Sequence, residues 1–179
     1  MARINKSKRC RGAEMLEFTF ALLPLLMMIF LLLDACWGMF VKGTLAFAAH
    51  EGVRVGITIT GTQATAAGSD LTTMVKTIVQ QQSLGLLSGA SGLAKIKVNY
   101  YQPPASGSTA AATDVSTLAS GNSPSNIMQV SVQGFSLKPL VPRLFGLGKP
   151  VDVSATAISA VAADIIEPSR DVPPIGTAP

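Results

Sequence analysis

The chain has 179 residues, 48% of them apolar and 13% charged, which leaves room for one domain besides a membrane segment and excludes an ordinary, fully solvated surface. Its formal net charge of +4 is local in origin: Arg3, Lys6, Lys8, Arg9 and Arg11 precede residue 12, whereas residues 12–179 carry nine basic and ten acidic side chains. A body this close to neutral excludes a nucleic-acid-binding face, and Cys10 and Cys36 stand about 39 Å apart along a helix at ~1.5 Å per residue, too far to form a disulfide.

Residues 1–12 form a basic leader, and Lys and Arg before an apolar run place that end in the cytoplasm. The run FTFALLPLLMMIFLLLDACWGMFV, Phe18 to Val41, holds one ionised side chain, Asp34, and exceeds the ~20 residues needed to span a bilayer. Helical spacing continues beyond it, so residues 13–56 are predicted as one transmembrane and stalk helix, with Pro24 tolerated inside it and Leu45, Phe47 or Ala48 offered to an outer domain. Counted from Met15, Asp34 falls about 28 Å along the helix, near the far interface of a ~30 Å core. Trp37 and Lys42 just beyond it fit an interfacial anchor with a snorkelling amine.

Residues 57–163 are predicted as an extracytoplasmic α+β domain. After a break at Gly61-Thr62-Gln63, Leu71, Met74, Val75, Ile78 and Val79 fall at the spacing of a one-faced helix, with Ser69 or Asp70 as N-cap and GLLSGASG as its stop. Segments 95–101, 126–137 and 150–161 alternate or are β-branched, and read as about three antiparallel strands. Residues 102–125 read as a long exposed loop, residues 139–149 as an apolar loop broken by prolines, and residues 164–179 as a Pro-rich disordered tail. The fold class is therefore α+β: a long N-terminal transmembrane helix, then one amphipathic helix packed on a small antiparallel sheet.

Chemistry has little to work with beyond the anchor. His50 is the single histidine, the outer domain has no cysteine, and the acids Asp70, Asp114, Asp152 and Asp164 are scattered. No catalytic residue, metal site or cofactor is expected, and the chain is not expected to be an enzyme. Glu51 and Arg54 make an i, i+3 pair, worth ~0.2–0.5 kcal/mol alone.

The junction RCRGAEMLEF resembles the cleavage region of type IV pilin-like precursors, in which a prepilin peptidase cuts after a glycine and a glutamate stands fifth in the mature chain. That resemblance implies processing at Gly12 and Ala13, with Glu17 and Phe18 opening the membrane run. The longer string RGAEMLEFTFALLPLLMMIFLLLDACWGMF followed by AAHEGVRVG resembles the TadE-like family of tight-adherence (Flp) pilus systems, through Gly12, Glu17, Phe18, Pro24, Asp34, Gly38, Ala48, Glu51, Gly52 and Arg54. The closing VSVQGFSLKPLVPRLFG and VDVSATAISAV resemble the family's last pair of strands more weakly. Where pilin-like precursors of that system carry Glu-Tyr, this chain has Glu-Phe at 17–18.

Membership would imply a pilin-like fold and a place in a pilus or secretion apparatus, as a minor pilin-like (pseudopilin) subunit or a membrane-anchored assembly component. Its partners would be the lipid bilayer, other pilin-like subunits, inner-membrane platform proteins and a prepilin peptidase, without nucleic acid. Its place would be the bacterial inner membrane, single-pass, with the C-terminal domain periplasmic or on a pilus. Pro24, Asp34, Trp37, Glu51, Gly52 and Arg54 would then serve membrane insertion and assembly. The alternative reading is a membrane-tethered binding module unrelated to pili, its ligand held by loop 102–125 or 139–149. A lipoprotein reading of LDAC is disfavoured by Asp34, and a cleaved signal peptide by the length of the apolar run.

Overall fold

The computed structural model describes residues 11–137 and 156–167, together with 171, 173, 175 and 176. These fall into two compact units, one holding the chain up to Met39 and the other Phe40–Leu137 with residues from 156 onward.

Helix α1, Arg11–Gly56, is 46 residues long and runs unbroken through Pro24. Proline removes one backbone donor, so the carbonyl of Phe20, four residues back, loses its helical partner. Separately, Thr19 Oγ1 donates to the Met15 carbonyl at 2.8 Å, which satisfies a hydroxyl that lipid would otherwise penalise. From Glu14 to Phe40 no side chain of α1 is buried, and Phe18, Phe20, Met28 and Leu31 are each about two-thirds exposed or more. A helix apolar all round with nothing covering it is what a bilayer accommodates, and α1 is long and apolar enough to cross one.

The environment changes at Val41. Val41, Leu45, Ala48, Ala49 and Val53 are at most 3% exposed and, with Gly52 and Gly56, form one stripe at i, i+3, i+4, i+7 spacing. Within the second unit this stripe meets helix α3, Leu71–Gln82, and the inner face of a sheet. Strand β1, Ile96–Gln102, buries Ile96, Val98 and Tyr100; strand β3, Ile127–Leu137, buries Met128, Val130 and Val132; and strand β4, Thr156–Ile165, buries Ala160 and Ala162. The antiparallel order is β2-β1-β3-β4, where β2 is the two-residue Thr113–Asp114. The register sets Val98 opposite Val130 and Val130 opposite Ala162, so the buried rows line up across three strands. Between Val132 and Phe135 the register shifts, and Gly134 takes φ +67 there, a left-handed conformation that glycine adopts without steric penalty.

Among the described residues, four strands and four helices exceed the predicted inventory of three strands and two helices, and each addition is short. Helix α2, Gly61–Ala66, occupies the expected break and starts on a capping box in which Thr60 Oγ1 accepts from Gln63 N and Gln63 Oε1 accepts from Thr60 N. Helix α4, Gly89–Leu93, lies in the glycine-rich stop. Helix α3 is capped by Asp70, whose Oδ1 accepts from Thr73 N at 2.7 Å.

Two expected segments differ. Loop 102–125 is exposed for most of its length, but it carries β2 and buries Val115, Ser116 and Asn122. The tail expected from 164 is corrected in its described part: β4 continues to Ile165, and Ile166, Pro173 and Ile175 are buried. The tail's carbonyls find donors on the domain. Thr72 Oγ1 donates to the Ile175 carbonyl at 2.6 Å, Asn122 Nδ2 to that of Pro173, and Gly61 N to that of Asp171 at 3.3 Å. Two isoleucines placed so that they reach the core outweigh the proline content. The expected apolar loop 139–149 and the start of the expected strand 150–161 lie outside the described residues.

Candidate functional site

The residues singled out in the sequence all lie on α1, in three groups. Gly12 and Ala13 occupy its first turn, where the leading N–H groups have no intrahelical acceptor. Glu17 and Phe18 follow, both exposed, then Pro24 among exposed apolar side chains. Asp34 and Trp37 are half-buried, one turn apart, and 17 residues separate the carboxylates of Glu17 and Asp34, about 26 Å of helix. That spacing lets both acids sit near opposite faces of a ~30 Å hydrocarbon layer, whose centre would charge roughly 2.5–3.5 kcal/mol for either.

The third group, Glu51, Gly52 and Arg54, is divided by the helix. Gly52 faces inward. A Cβ there would stand 2.4 Å from Val79 Cγ2, with Val75 Cγ1 at 3.6 Å and Val130 Cγ1 at 3.8 Å, so glycine is what allows α3 to approach α1 this closely. One turn on, Gly56 repeats the arrangement: a Cβ would meet Met128 Sδ at 2.7 Å and Val75 Cγ2 at 2.9 Å. The sequence reading missed Gly56, although a small residue four positions after Gly52 is the spacing that brings helices together.

Glu51 and Arg54 face outward, on the same side as the exposed Phe47 and His50. Arg54 Nη2 donates to Glu51 Oε1 at 2.7 Å, with the Arg54 side chain 75% exposed and that of Glu51 20% exposed. The hydrogen bond to Glu51 and the carboxylate's charge raise the guanidinium's pKa above its already high ordinary value, so Arg54 stays charged. An ion pair this exposed adds little to stability, and it leaves guanidinium donors and carboxylate acceptors facing solvent.

Elsewhere in the domain two groups are perturbed. Burial, reinforced by Lys97, pushes the Lys76 amine down, while Asp70 acts in the opposite direction. In the loop after β1, Ser116 Oγ and N donate to Asp114 Oδ1 at 2.6 and 2.9 Å and hold that carboxyl below its ordinary range. Among the described residues no group of three His, Cys, Asp or Glu side chains converges to hold a metal. What α1 offers is an apolar anchor, a glycine-lined seat for its own domain, and an outward stripe with a polar pair.

Comparison with known proteins places the same helix. Residues 12–54 match the family model described as TadE-like protein, the stretch whose motifs resemble that family. The match begins at Gly12 and ends on Arg54, and so takes in all three groups. No curated protein and no solved structure matches the chain.

Proposed function

We propose that the protein is a minor pilin-like (pseudopilin) subunit or membrane-anchored assembly component of a tight-adherence (Flp, type IV-like) pilus or secretion apparatus. The observation that supports this most directly is the TadE-like match over residues 12–54, on a helix that fits a single-pass membrane anchor and continues without a break into a folded α+β domain. On this reading the chain performs no reaction. Its basic leader stays in the cytoplasm of a bacterial inner membrane, α1 crosses once, and the domain stands outside, against other pilin-like subunits and the platform proteins of the machine.

Assembly follows from the physics of the anchor. A lipid-exposed α1 gains nothing from hydrophobic burial against another apolar helix, so association must rest on packing and on polar groups. Glu17 is such a group. If a prepilin peptidase cuts between Gly12 and Ala13, Glu17 becomes the fifth residue, and the new amino terminus of a neighbouring subunit supplies the cation that relieves a carboxylate in lipid.

The test is the intact mass and N-terminal sequence of the membrane-purified protein, with and without a co-expressed prepilin peptidase. A chain beginning at Ala13 that disappears in Gly12→Leu identifies a processed pseudopilin. Retention of residues 2–12 identifies a permanently anchored assembly component. A protein that neither co-purifies with platform proteins nor affects piliation when deleted overturns the pilus reading and leaves a tethered binding module.

A further inference from the structure

The two edges of the sheet are built differently. One ends in β2, a strand of two residues, too short to template another strand, which is a common way for a sheet to blunt its edge. The other ends, among the described residues, in β4, which runs for ten residues from Thr156 to Ile165. β4 has neither the proline nor the lysine that usually guards such an edge, and Asp164 is its single charged residue.

Which backbone groups β4 turns outward follows from the ladder. Along an antiparallel strand the N–H and C=O of one residue point to one neighbour, and those of the next residue point the opposite way. Ile166 N donates to the Asn126 carbonyl at 2.8 Å, so counting back in twos gives Asp164, Ala162 and Ala160 to β3. On the far side of β3, Gln133 N donates to the Lys95 carbonyl at 2.8 Å, which gives the alternate residues of β3 to β1 and agrees with that count. The register shift falls on β3, where Gln133 and Gly134 oppose Ser159 alone, so β4 keeps its alternation. Ser159, Val161, Ala163 and Ile165 therefore direct their N–H and C=O away from the sheet. Burial follows the same alternation: Ala160 is 6% and Ala162 4% exposed, against 55% for Val161. The outward N–H of Ile165 is already taken, by Asp164 Oδ1 at 2.8 Å. Among the described residues, none bonds to the outward groups of Ser159, Val161 and Ala163.

A second copy of the same edge fits these three residues. Turned about a twofold axis at Val161, β4 meets itself antiparallel, with Val161 opposite Val161 and Ser159 opposite Ala163 of the second copy. All three present their groups outward, so each pair can exchange both of its N–H···O bonds. Opposed side chains are small or apolar, and Asp164 falls opposite Ile158, so the two acids do not meet. An axis at Ala163 would instead set Val161 opposite Ile165, whose donor is occupied. We infer that β4 is a dimerisation edge, through which two copies of the chain pair antiparallel about Val161 and join their sheets into one. The inference rests on neither the pilus nor the membrane-anchor reading. A twofold contact is closed, so this edge makes pairs and does not propagate into a filament.

The test uses the full chain in detergent micelles, carrying Cys10→Ser and Cys36→Ser, with single cysteines placed on exposed β4 side chains and oxidised to disulfides. Paired residues at the bonded positions stand about 5.5 Å apart between Cα atoms, inside the ~4.4–6.8 Å that a disulfide spans. Val161→Cys is expected to give a disulfide dimer, and a mixture of Ser159→Cys with Ala163→Cys a mixed one. Ser159→Cys alone should stay monomeric, because its two copies lie ~14 Å apart along the strand. Leu118→Cys, exposed in the loop after β2, should stay monomeric too. Should Val161→Cys fail to fold, the mixed pair reads the same register from two other side chains. Without the added cysteines, the amides of Ser159, Val161 and Ala163 should be protected from hydrogen exchange and lose that protection on dilution into excess micelles, while those of Ala160 and Ala162 keep theirs. Disulfides at Ser159 alone or at Leu118 as readily as at Val161 overturn the pairing, and so does a chain that is monomeric at every concentration. A monomer whose Ser159, Val161 and Ala163 amides are nonetheless protected overturns the second copy in favour of a different strand on that edge.

Discussion

Gly52→Ala separates a packing role from a functional one at the residue where the TadE-like motif and the domain core coincide. Alanine in a helix interior is favoured over glycine by up to ~1 kcal/mol, so the substitution would stabilise α1 if the space were open. It is not open. The new Cβ would lie 2.4 Å from Val79 Cγ2, and ordinary contact requires about 1 Å of retreat. Val79 is fully buried and β-branched, with one strongly preferred rotamer in a helix, so the retreat falls on the α1–α3 spacing and draws an overpacking penalty of roughly 1–3 kcal/mol. The expected net effect is a loss of about 1 kcal/mol after the helix gain is subtracted. Gly43 supplies the comparison within the same helix, since nothing lies within 4 Å of a Cβ there and Gly43→Ala should gain up to ~1 kcal/mol. Hydrogen exchange of the slowest β1 and β3 amides, in the full chain in detergent micelles, reads both values. Adding Val79→Ala to Gly52→Ala should show a favourable coupling of about 1 kcal/mol. If Gly52→Ala and Gly43→Ala change stability alike, the close approach does not limit the fold and the reasoning fails.

Gly56→Ala should cost less than Gly52→Ala, because one of its two close neighbours is the flexible thioether of Met128; the same exchange measurement ranks the two. Asp70→Ala removes the cap of α3 and should destabilise the domain by ~1 kcal/mol, whereas Asp70→Asn keeps an acceptor and should lie within a few tenths, both read from denaturant midpoints. Glu51→Gln and Arg54→Ala should each leave the denaturant midpoint nearly unchanged; a strong piliation defect at unchanged stability would place their role in partner contact, and normal piliation would remove them from the assembly surface. The Asp114 carboxyl is held below its ordinary 3.8 by Ser116, so its stabilisation is complete above that value and disappears as pH falls through the lower folded value. Because Asp114 is exposed the amount is well under ~1 kcal/mol, and the stability advantage of wild type over Asp114→Asn should shrink in acid melts and vanish at the lowest pH.

The parts of the molecule that were legible in the sequence are those where one periodicity runs long enough to exclude the alternatives. The apolar run from Phe18 to Val41 reads directly as a helix long and apolar enough to cross a membrane, and the spacing of Leu71, Val75 and Val79 permits little except a one-faced helix. Strands β1 and β3 alternate visibly, so their starts differ from the predicted ones by one residue. β4 was harder, because its inner face is built from Ala160 and Ala162, which carry almost no hydrophobic signal yet are buried by the approach of their neighbours. The tail was illegible for a related reason: proline content reads as disorder, while what orders it is donors supplied from far away in the chain, Thr72 and Asn122. The candidate site shows the same limit. That Gly52 matters could be read from the motif, but that it matters to Val79 could not, since their contact depends on how α3 folds back.

The TadE-like stretch after the span therefore joins two demands on one helical repeat. Leu45, Ala48, Ala49, Gly52, Val53 and Gly56 form the inward stripe and answer to the fold: all are buried, and Gly52 and Gly56 face Val75 and Val79 of α3 and Met128 and Val130 of β3. Phe47, His50, Glu51 and Arg54 form the outward stripe, offset by half a turn. Small residues at 52 and 56 let α3 and β3 come close to the helix, so the side chains that seat the domain and those that face away from it are set by one helical repeat.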